Sequence, residues 1–82
     1  MHLEIITPDQ TIFKGEVESA TFPGSKGSFQ VLKDHAALIS SLEKGKVVYQ
    51  AGNDHQELIV NGGIVEVLNN NIIVLAEEVI KE

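Results

Sequence analysis

The chain has 82 residues, of which 43% are hydrophobic, and its 12 acidic and 6 basic side chains give a net charge of −6 at pH 7. This length predicts one domain over residues 1–82, and the hydrophobic content argues against disorder. The negative charge and the absence of arginine argue against nucleic-acid or anionic-lipid binding, and the absence of cysteine excludes disulfides and cysteine-bound zinc.

The N-terminal stretch MHLEIITPDQ has neither the basic region nor the long apolar core of a signal peptide. The longest purely apolar run, IIVLA at residues 72–76, is far shorter than the ~20 residues that span a bilayer as a helix. We therefore expect any membrane contact to be made through a partner.

The first predicted strand is HLEIIT, residues 2–7, and TPDQ at residues 7–10 is typical of a type I turn. A glycine in FKGE, residues 13–16, indicates a second turn. EVESATF, residues 16–22, alternates and predicts a strand with Val17, Ser19 and Thr21 on one face and Glu16, Glu18 and Ala20 on the other.

Four more strands are predicted after a turn at FPGS, residues 22–25, where proline and glycine are typical of a type II turn with a positive φ at the glycine. Asn61-Gly62 lies between two of these strands and predicts a hairpin, since both residues tolerate positive φ. The runs LIV and IVEVL carry apolar residues on both faces, as in a strand that is covered on both sides. The four strands are KVVYQ (46–50), ELIVN (57–61), IVEVL (64–68) and IIVLA (72–76).

No segment shows a sustained apolar stripe with helical periodicity, and the tail LAEEVIKE could form at most a short helical turn. Turn signals instead recur at short intervals between segments rich in Val, Ile and Thr. This pattern predicts an all-β fold, a small sandwich or barrel.

The loop Gly24-Ser25-Lys26-Gly27 is the first candidate for chemistry. It lacks the closing GKS or GKT of a phosphate-binding loop, and no helical pattern follows. A GxxG loop clamps RNA in the KH fold, but there it joins two helices in a basic protein. A requirement for glycine in the turn explains the loop better.

The pairs Asp34-His35 and Asp54-His55 are the second candidate. A catalytic histidine needs a nucleophile within hydrogen-bond reach, and no serine lies in a nucleophile-elbow pattern. A metal site built from His2, His35 and His55 would require three separate segments to converge. The residues therefore favour an interaction module over an enzyme that uses one of these Asp-His pairs, and we expect no catalytic, cofactor-binding or metal-binding site.

FPGSKGSFQVLKDHAALIS, residues 22–40, resembles PGxxGxFGVLPxHAPLIT, a pattern of the epsilon subunits of F-type ATP synthase. The opening HLEIITPDQTIFKGEVESATFPG is similar to the first strands of that family, and ELIVNGGIVEVLNNNIIVLAEEV is similar to its closing strands. The three pieces occur in the family's order and spacing, and together they cover almost the whole chain.

The resemblance implies a flattened β-sandwich of about ten short, mostly antiparallel strands without an active site. Such a subunit lies in the rotor stalk, docks on the gamma subunit and the c-ring, and helps to couple ion-driven rotation to ATP synthesis. It also implies a peripheral location on the cytoplasmic face of the bacterial inner membrane, with membrane contact only through the c-ring. Neither nucleic acid nor a cofactor is expected as a ligand.

Carried over by position, the resemblance assigns a loop that faces the c-ring and a set of residues that face gamma. The c-ring-facing loop comprises Gly24, Ser25, Lys26, Gly27 and Ser28, and the gamma-facing set comprises Thr7, His35, Leu38 and Ser40. The chain departs from the pattern around the histidine, where Lys33-Asp34 replaces the usual Pro-Gly and Ala37 replaces a proline, and Gln30 replaces a glycine. Lys26 and Ser28 stand where many relatives are acidic.

Relatives in this family continue into a C-terminal pair of helices that binds ATP in some of them. This sequence stops at Glu82, so it is either a short form or a truncated one. We expect neither the helical hairpin nor ATP binding from these residues.

A free-standing β-sandwich that binds a small ligand or a glycan is the alternative function. Glycan binding would favour exposed aromatic platforms, and the chain has no tryptophan. The aromatic residues available are Phe13, Phe22, Phe29 and Tyr49.

Overall fold

The computed structural model describes residues 1–80, which form ten strands and no helix. The prediction of an all-β fold is confirmed. The strands are β1 (His2–Ile6), β2 (Thr11–Glu16), β3 (Ser19–Gly24), β4 (Gly27–Leu32), β5 (Leu38–Leu42), β6 (Gly45–Ala51), β7 (Asp54–Val60), β8 (Gly63–Leu68), β9 (Asn71–Ala76) and β10 (Val79–Ile80).

The strands form one curled sheet in the order β10-β7-β6-β3-β5-β8-β9-β1-β2, and β4 pairs with β3 outside this path. β3 and β5 share only the pair Gly24 and Leu42, so the sheet bends there into a β3/β4/β6/β7/β10 half and a β5/β8/β9/β1/β2 half. Only the pairing of β1 with β9 is parallel. The molecule measures 27 × 27 × 20 Å, consistent with the predicted flattened, mostly antiparallel architecture.

The core lies between the two halves and is built from alternate residues of the strands. Phe22 is the largest fully buried side chain, and its burial stabilises the fold by about 3 kcal/mol. Its ring lies 5.7 Å from that of Phe29, and the rings of Phe13 and Tyr49 are 4.5 Å apart. The other fully enclosed large side chains are Leu3, Ile5, Ile72, Val31, Val47, Val60, Val65, Val67 and Val74.

The predicted strand at residues 16–22 is interrupted. β2 ends at Glu16 and β3 begins at Ser19, because the Val17 N–H donates to the Met1 carbonyl (2.8 Å) and the Glu18 N–H donates to the Gln50 carbonyl (2.8 Å). The break changes the buried register, so Val17 and Ala20 are both buried although we predicted opposite faces.

Two predicted turns also lie elsewhere. Residues 13–16 belong to β2, and the turn expected at residues 22–25 falls at Ser25-Lys26, because β3 continues through Gly24. The positive φ is found at Gly27 (123°) and not at Gly24. The Thr7–Gln10 turn is confirmed, with the Gln10 N–H donating to Thr7 Oγ1 at 3.3 Å.

Asn61-Gly62 does not form the predicted hairpin. It connects β7 with β8, which belong to different halves of the sheet and do not pair. The positive φ values, 83° at Gly62 and 139° at Gly63, are used for this crossing. Asn69 and Asn70 do form a hairpin turn, between β8 and β9, with φ values of 49° and 61°.

The tail is extended where it is described, since Val79–Ile80 pairs with β7 as β10. The remainder of the predicted helical turn, residues 81–82, lies outside the described residues.

The prediction that β8 is covered on both faces is wrong for the chain by itself. Val65 and Val67 are buried, but Ile64 and Leu68 on the other face are 49% and 52% exposed.

Candidate docking surfaces

Strands β5, β8 and β9 carry exposed aliphatic side chains on one side of the β5/β8/β9/β1/β2 half, and we call this surface the outer apolar face. It surrounds one carboxylate, that of Glu66. Among residues 1–80, seven large hydrophobic side chains are exposed, and five of them lie on this face. The face comprises Ile39, Ile64, Glu66, Leu68, Ile73 and Leu75.

Strand register makes the face continuous. Ile39 of β5 lies opposite Glu66 of β8, which lies opposite Ile73 of β9. One row further along, Ile64 lies opposite Leu75, and Leu75 lies opposite Ile6 of β1. Neighbouring strands are about 4.8 Å apart, so these side chains touch across the sheet.

The face arises because β8 and β9 carry aliphatic residues at successive positions. Alternation sends Val65 and Ile72 into the core and leaves Ile64 and Ile73 outside. Exposed aliphatic patches on small soluble domains mark places where another surface packs. We missed these residues in the sequence analysis, although the two-sided apolar pattern of residues 64–68 and 72–76 was the signal for them.

Two shallow clefts border the outer apolar face. One, of about 370 Å³, is lined by Ala37, Leu38, Ile39, Glu66, Val67 and Leu68. The other, of about 360 Å³, is lined by Ile6, Thr7, Pro8, Leu75, Ala76 and Glu77. Both are open, so they can receive protruding side chains of a partner.

The four residues predicted to face gamma lie around the outer apolar face and not at its centre. Thr7 is half-buried in one bordering cleft, and Leu38 lines the other. Leu38 and Ser40 are half-buried on the inner side of β5, whereas Ile39 between them is 72% exposed. His35 is half-buried in the loop before β5.

The loop that carries His35 is held against the β8–β9 turn. Asp34 has a φ of 65°, and its N–H donates to Asn70 Oδ1 at 2.7 Å while Asn70 Nδ2 donates to Asp34 Oδ1 at 3.0 Å. The His35 N–H donates to the Leu32 carbonyl (3.1 Å), and its Nδ1 bonds to the Ala36 carbonyl (2.8 Å). Asp34 thus adopts a left-handed conformation, which aspartate tolerates better than most residues that carry a side chain.

The predicted c-ring-facing loop is the tip of the β3–β4 hairpin. Gly24 is buried, and Ser25, Lys26, Gly27 and Ser28 are exposed. The Ser25 N–H donates to the Ser41 carbonyl at 3.0 Å, and the two serine hydroxyls are 2.8 Å apart, which ties the tip to the end of β5. Since the loop joins two strands, the KH-type interpretation gains no support.

A charged cluster lies at the β1–β2 edge of the same half. His2 Nε2 is 3.0 Å from Glu4 Oε1, and His2 Nδ1 is 3.2 Å from Glu16 Oε2. A neutral imidazole has only one N–H, so only the protonated ring donates to both carboxylates. The hydrogen bonds that the His2 ring donates to Glu4 and Glu16 raise the pKa of His2 above its ordinary value of 6.5.

We expect stability to depend on pH through His2. Because the folded-state pKa is raised, the contribution is fully present below the unfolded pKa and is lost as the pH rises through the folded one. The free energy of unfolding, measured with urea, should fall as the pH rises above 6.5, and by less in His2→Gln. An NMR titration of His2 in Glu4→Gln should show its pKa moving back toward the ordinary value; an unchanged pKa would refute the assignment.

The alternative functions gain no support from the geometry. All four aromatic side chains are buried or half-buried, so none forms a platform for a sugar. Asp34 bonds to Asn70 and not to His35, and His55 Nε2 lies 3.5 Å from Glu57. Within residues 1–80, no three His, Asp or Glu side chains form a metal-binding group. No helix in this part of the chain is long and apolar enough to cross a membrane.

Residues 1–82 match the family model of the ATP synthase delta/epsilon chain β-sandwich domain. The chain is 39% identical over 75 residues to an ATP synthase epsilon chain of Endomicrobium trichonymphae, covering 92% of this chain and 54% of that one. It is 44% identical over 78 residues to an ATP synthase epsilon chain of Campylobacter jejuni, covering 94% and 60%. The chain therefore spans little more than half the length of these curated relatives.

Two solved structures share the fold at low sequence identity. A chain of the central stalk and c-ring of the Tetrahymena thermophila mitochondrial ATP synthase superposes with a TM-score of 0.84 at 15% identity, covering 98% of this chain and 65% of that one. A chain of the Euglena gracilis mitochondrial ATP synthase superposes with a TM-score of 0.87 at 22% identity, covering 95% and 51%. The prediction of an epsilon-type β-sandwich is confirmed, and the chain belongs to the delta/epsilon-chain β-sandwich family of ATP synthase.

Proposed function

We propose that this chain is a non-catalytic subunit of the rotor stalk of an F-type ATP synthase. It packs on the gamma subunit through the outer apolar face and contacts the c-ring through the β3–β4 hairpin tip. In this way it helps to couple ion-driven rotation to ATP synthesis. The observation that carries the proposal is the concentration of exposed aliphatic side chains on one side of one half of the sheet.

The free energy gained by covering the outer apolar face supports a role for this face in binding. Covering a half-exposed isoleucine or leucine contributes about 1 kcal/mol, so the five aliphatic side chains contribute on the order of 5 kcal/mol. Association itself costs about 4–15 kcal/mol in lost translational and rotational freedom. The aliphatic side chains are thus a necessary part of a stable interface, and polar contacts at the rim and the centre must add to them.

Three of the four predicted gamma-facing residues, Thr7, Leu38 and His35, fit the rim of such an interface. Thr7 and Leu38 line the two clefts, where side chains of gamma can enter. His35 is presented by a loop that Asn70 holds in place. Ser40 lies behind the face and supports the strand that carries Ile39.

The hairpin tip of residues 24–28 suits a polar contact with the c-ring. Ser25, Lys26 and Ser28 are exposed and hydrophilic, and the tip carries no aliphatic side chain. Hydrogen bonds between Ser25 and Ser41 hold the tip against the end of β5. Membrane association then runs through the c-ring alone, on the cytoplasmic face of the bacterial inner membrane, and this chain needs neither ATP nor another cofactor.

Co-elution with the cognate gamma subunit on a sizing column, at physiological salt, tests the proposal. We expect a one-to-one complex that survives the column. Folded gamma that elutes apart from this chain would contradict the proposed docking.

A further inference from the structure

Among residues 1–80, Glu66 carries the only charged side chain at the centre of the outer apolar face. Its cross-strand neighbours are Ile39 on one side and Ile73 on the other. Along its own strand, the residues on the same face are Ile64 and Leu68. An exposed carboxylate is thus enclosed on four sides by aliphatic side chains.

Three other carboxylates on the strands have basic partners within the described residues. Glu4 and Glu16 both bond to His2, and Glu57 lies 3.2 Å from Lys46 Nζ. For Glu66, no lysine or histidine nitrogen of residues 1–80 lies within 4.0 Å. Within the described residues this carboxylate has no ion-pair partner, so solvent hydrates it while the face is uncovered.

Docking removes that water. A carboxylate that loses its hydration without gaining a partner costs more free energy than covering one aliphatic neighbour contributes. The outer apolar face is therefore poorly suited to a wholly apolar partner. It is equally poorly suited to a second copy of this chain, because a symmetric contact would bring two Glu66 carboxylates into one apolar interface.

We propose that the surface of gamma that covers the outer apolar face presents a lysine or arginine that pairs with Glu66, surrounded by aliphatic contacts. This inference rests on the proposed docking to gamma, and it adds the chemistry at the centre of that interface. The aliphatic ring excludes water and supplies affinity, and the central ion pair fixes the orientation and rejects partners without the cation.

The test is the dissociation constant of the complex with gamma, measured for charge variants of this chain. Glu66→Gln and Glu66→Leu should each weaken binding by at least about 30-fold, because each leaves the basic group of gamma buried without its partner. Glu18→Gln removes the same charge from an exposed site outside the face and should leave the dissociation constant unchanged. Unchanged binding of Glu66→Gln, or tighter binding of Glu66→Leu, would overturn the inference.

A third variant separates this inference from the proposed function. Leu75→Asp tests whether the outer apolar face binds gamma at all. Lost binding in Leu75→Asp together with normal binding in Glu66→Gln would overturn the central ion pair alone. Normal binding in both would overturn docking through this face. Thermal unfolding of each free variant checks that the fold is retained, which we expect because both side chains are exposed.

Discussion

We expect Leu75→Asp and Ile64→Asp each to weaken binding to the gamma subunit by about 100-fold or more. Leu75 and Ile64 lie opposite each other on β9 and β8, and they are 54% and 49% exposed. Either substitution removes aliphatic contact and places a carboxylate where the partner offers apolar surface, so the charge is desolvated without compensation. Titration calorimetry with gamma gives the dissociation constants.

Leu32→Asp is the matched control. Leu32 is 53% exposed and lies on β4, in the other half of the sheet. The same change at nearly the same exposure should leave gamma binding within about threefold of the original, since exposed positions outside an interface have small effects. An equal loss of binding in Leu32→Asp would show that aspartate acts through general destabilisation.

Gly63→Ala is expected to destabilise the fold by about 3 kcal/mol, a large part of the stability of a small domain. Gly63 has a φ of 139°, which side-chain-bearing residues rarely adopt. An added Cβ would also lie 2.4 Å from the Leu75 carbonyl oxygen and 2.9 Å from Ala76 Cα. Backbone of β9 must therefore move, and thermal unfolding should show a midpoint lower by more than about 10 °C.

Gly27→Ala separates the stability cost of the backbone conformation from the cost of the steric clash. Gly27 also has a positive φ, 123°, but an added Cβ there has no atom within 4 Å. We expect this variant to lose only about 1 kcal/mol, the cost of the conformation itself. Equal losses at the two glycines would contradict the role assigned to the contact with β9.

The sequence was informative wherever local chemistry decides structure. Thr7–Gln10 and Asn69-Asn70 are turns because their residues tolerate the required φ values or bond to their own backbone. Alternating and β-branched segments became strands, and the order of three motifs identified the family.

Local signals failed where a distant contact intervened. Asn61-Gly62 has the residues of a hairpin turn, yet β7 and β8 pair with other strands because each half of the sheet must bury its own apolar face. The break at Val17-Glu18 likewise depends on the carbonyls of Met1 and Gln50, which are distant from it in the chain but adjacent to it in the sheet.

The sequence by itself determined the fold class, the family and the lack of recognisable catalytic motifs, because these follow from periodicity, turn residues and motif order. Only the tertiary structure decided which apolar residues are left outside. Leu75 and Val74 are adjacent and chemically alike, but the pairing of β9 with β1 and β8 buries Val74 and exposes Leu75. The outer apolar face and the isolated position of Glu66 therefore depend on register across strands, which a single chain segment does not encode.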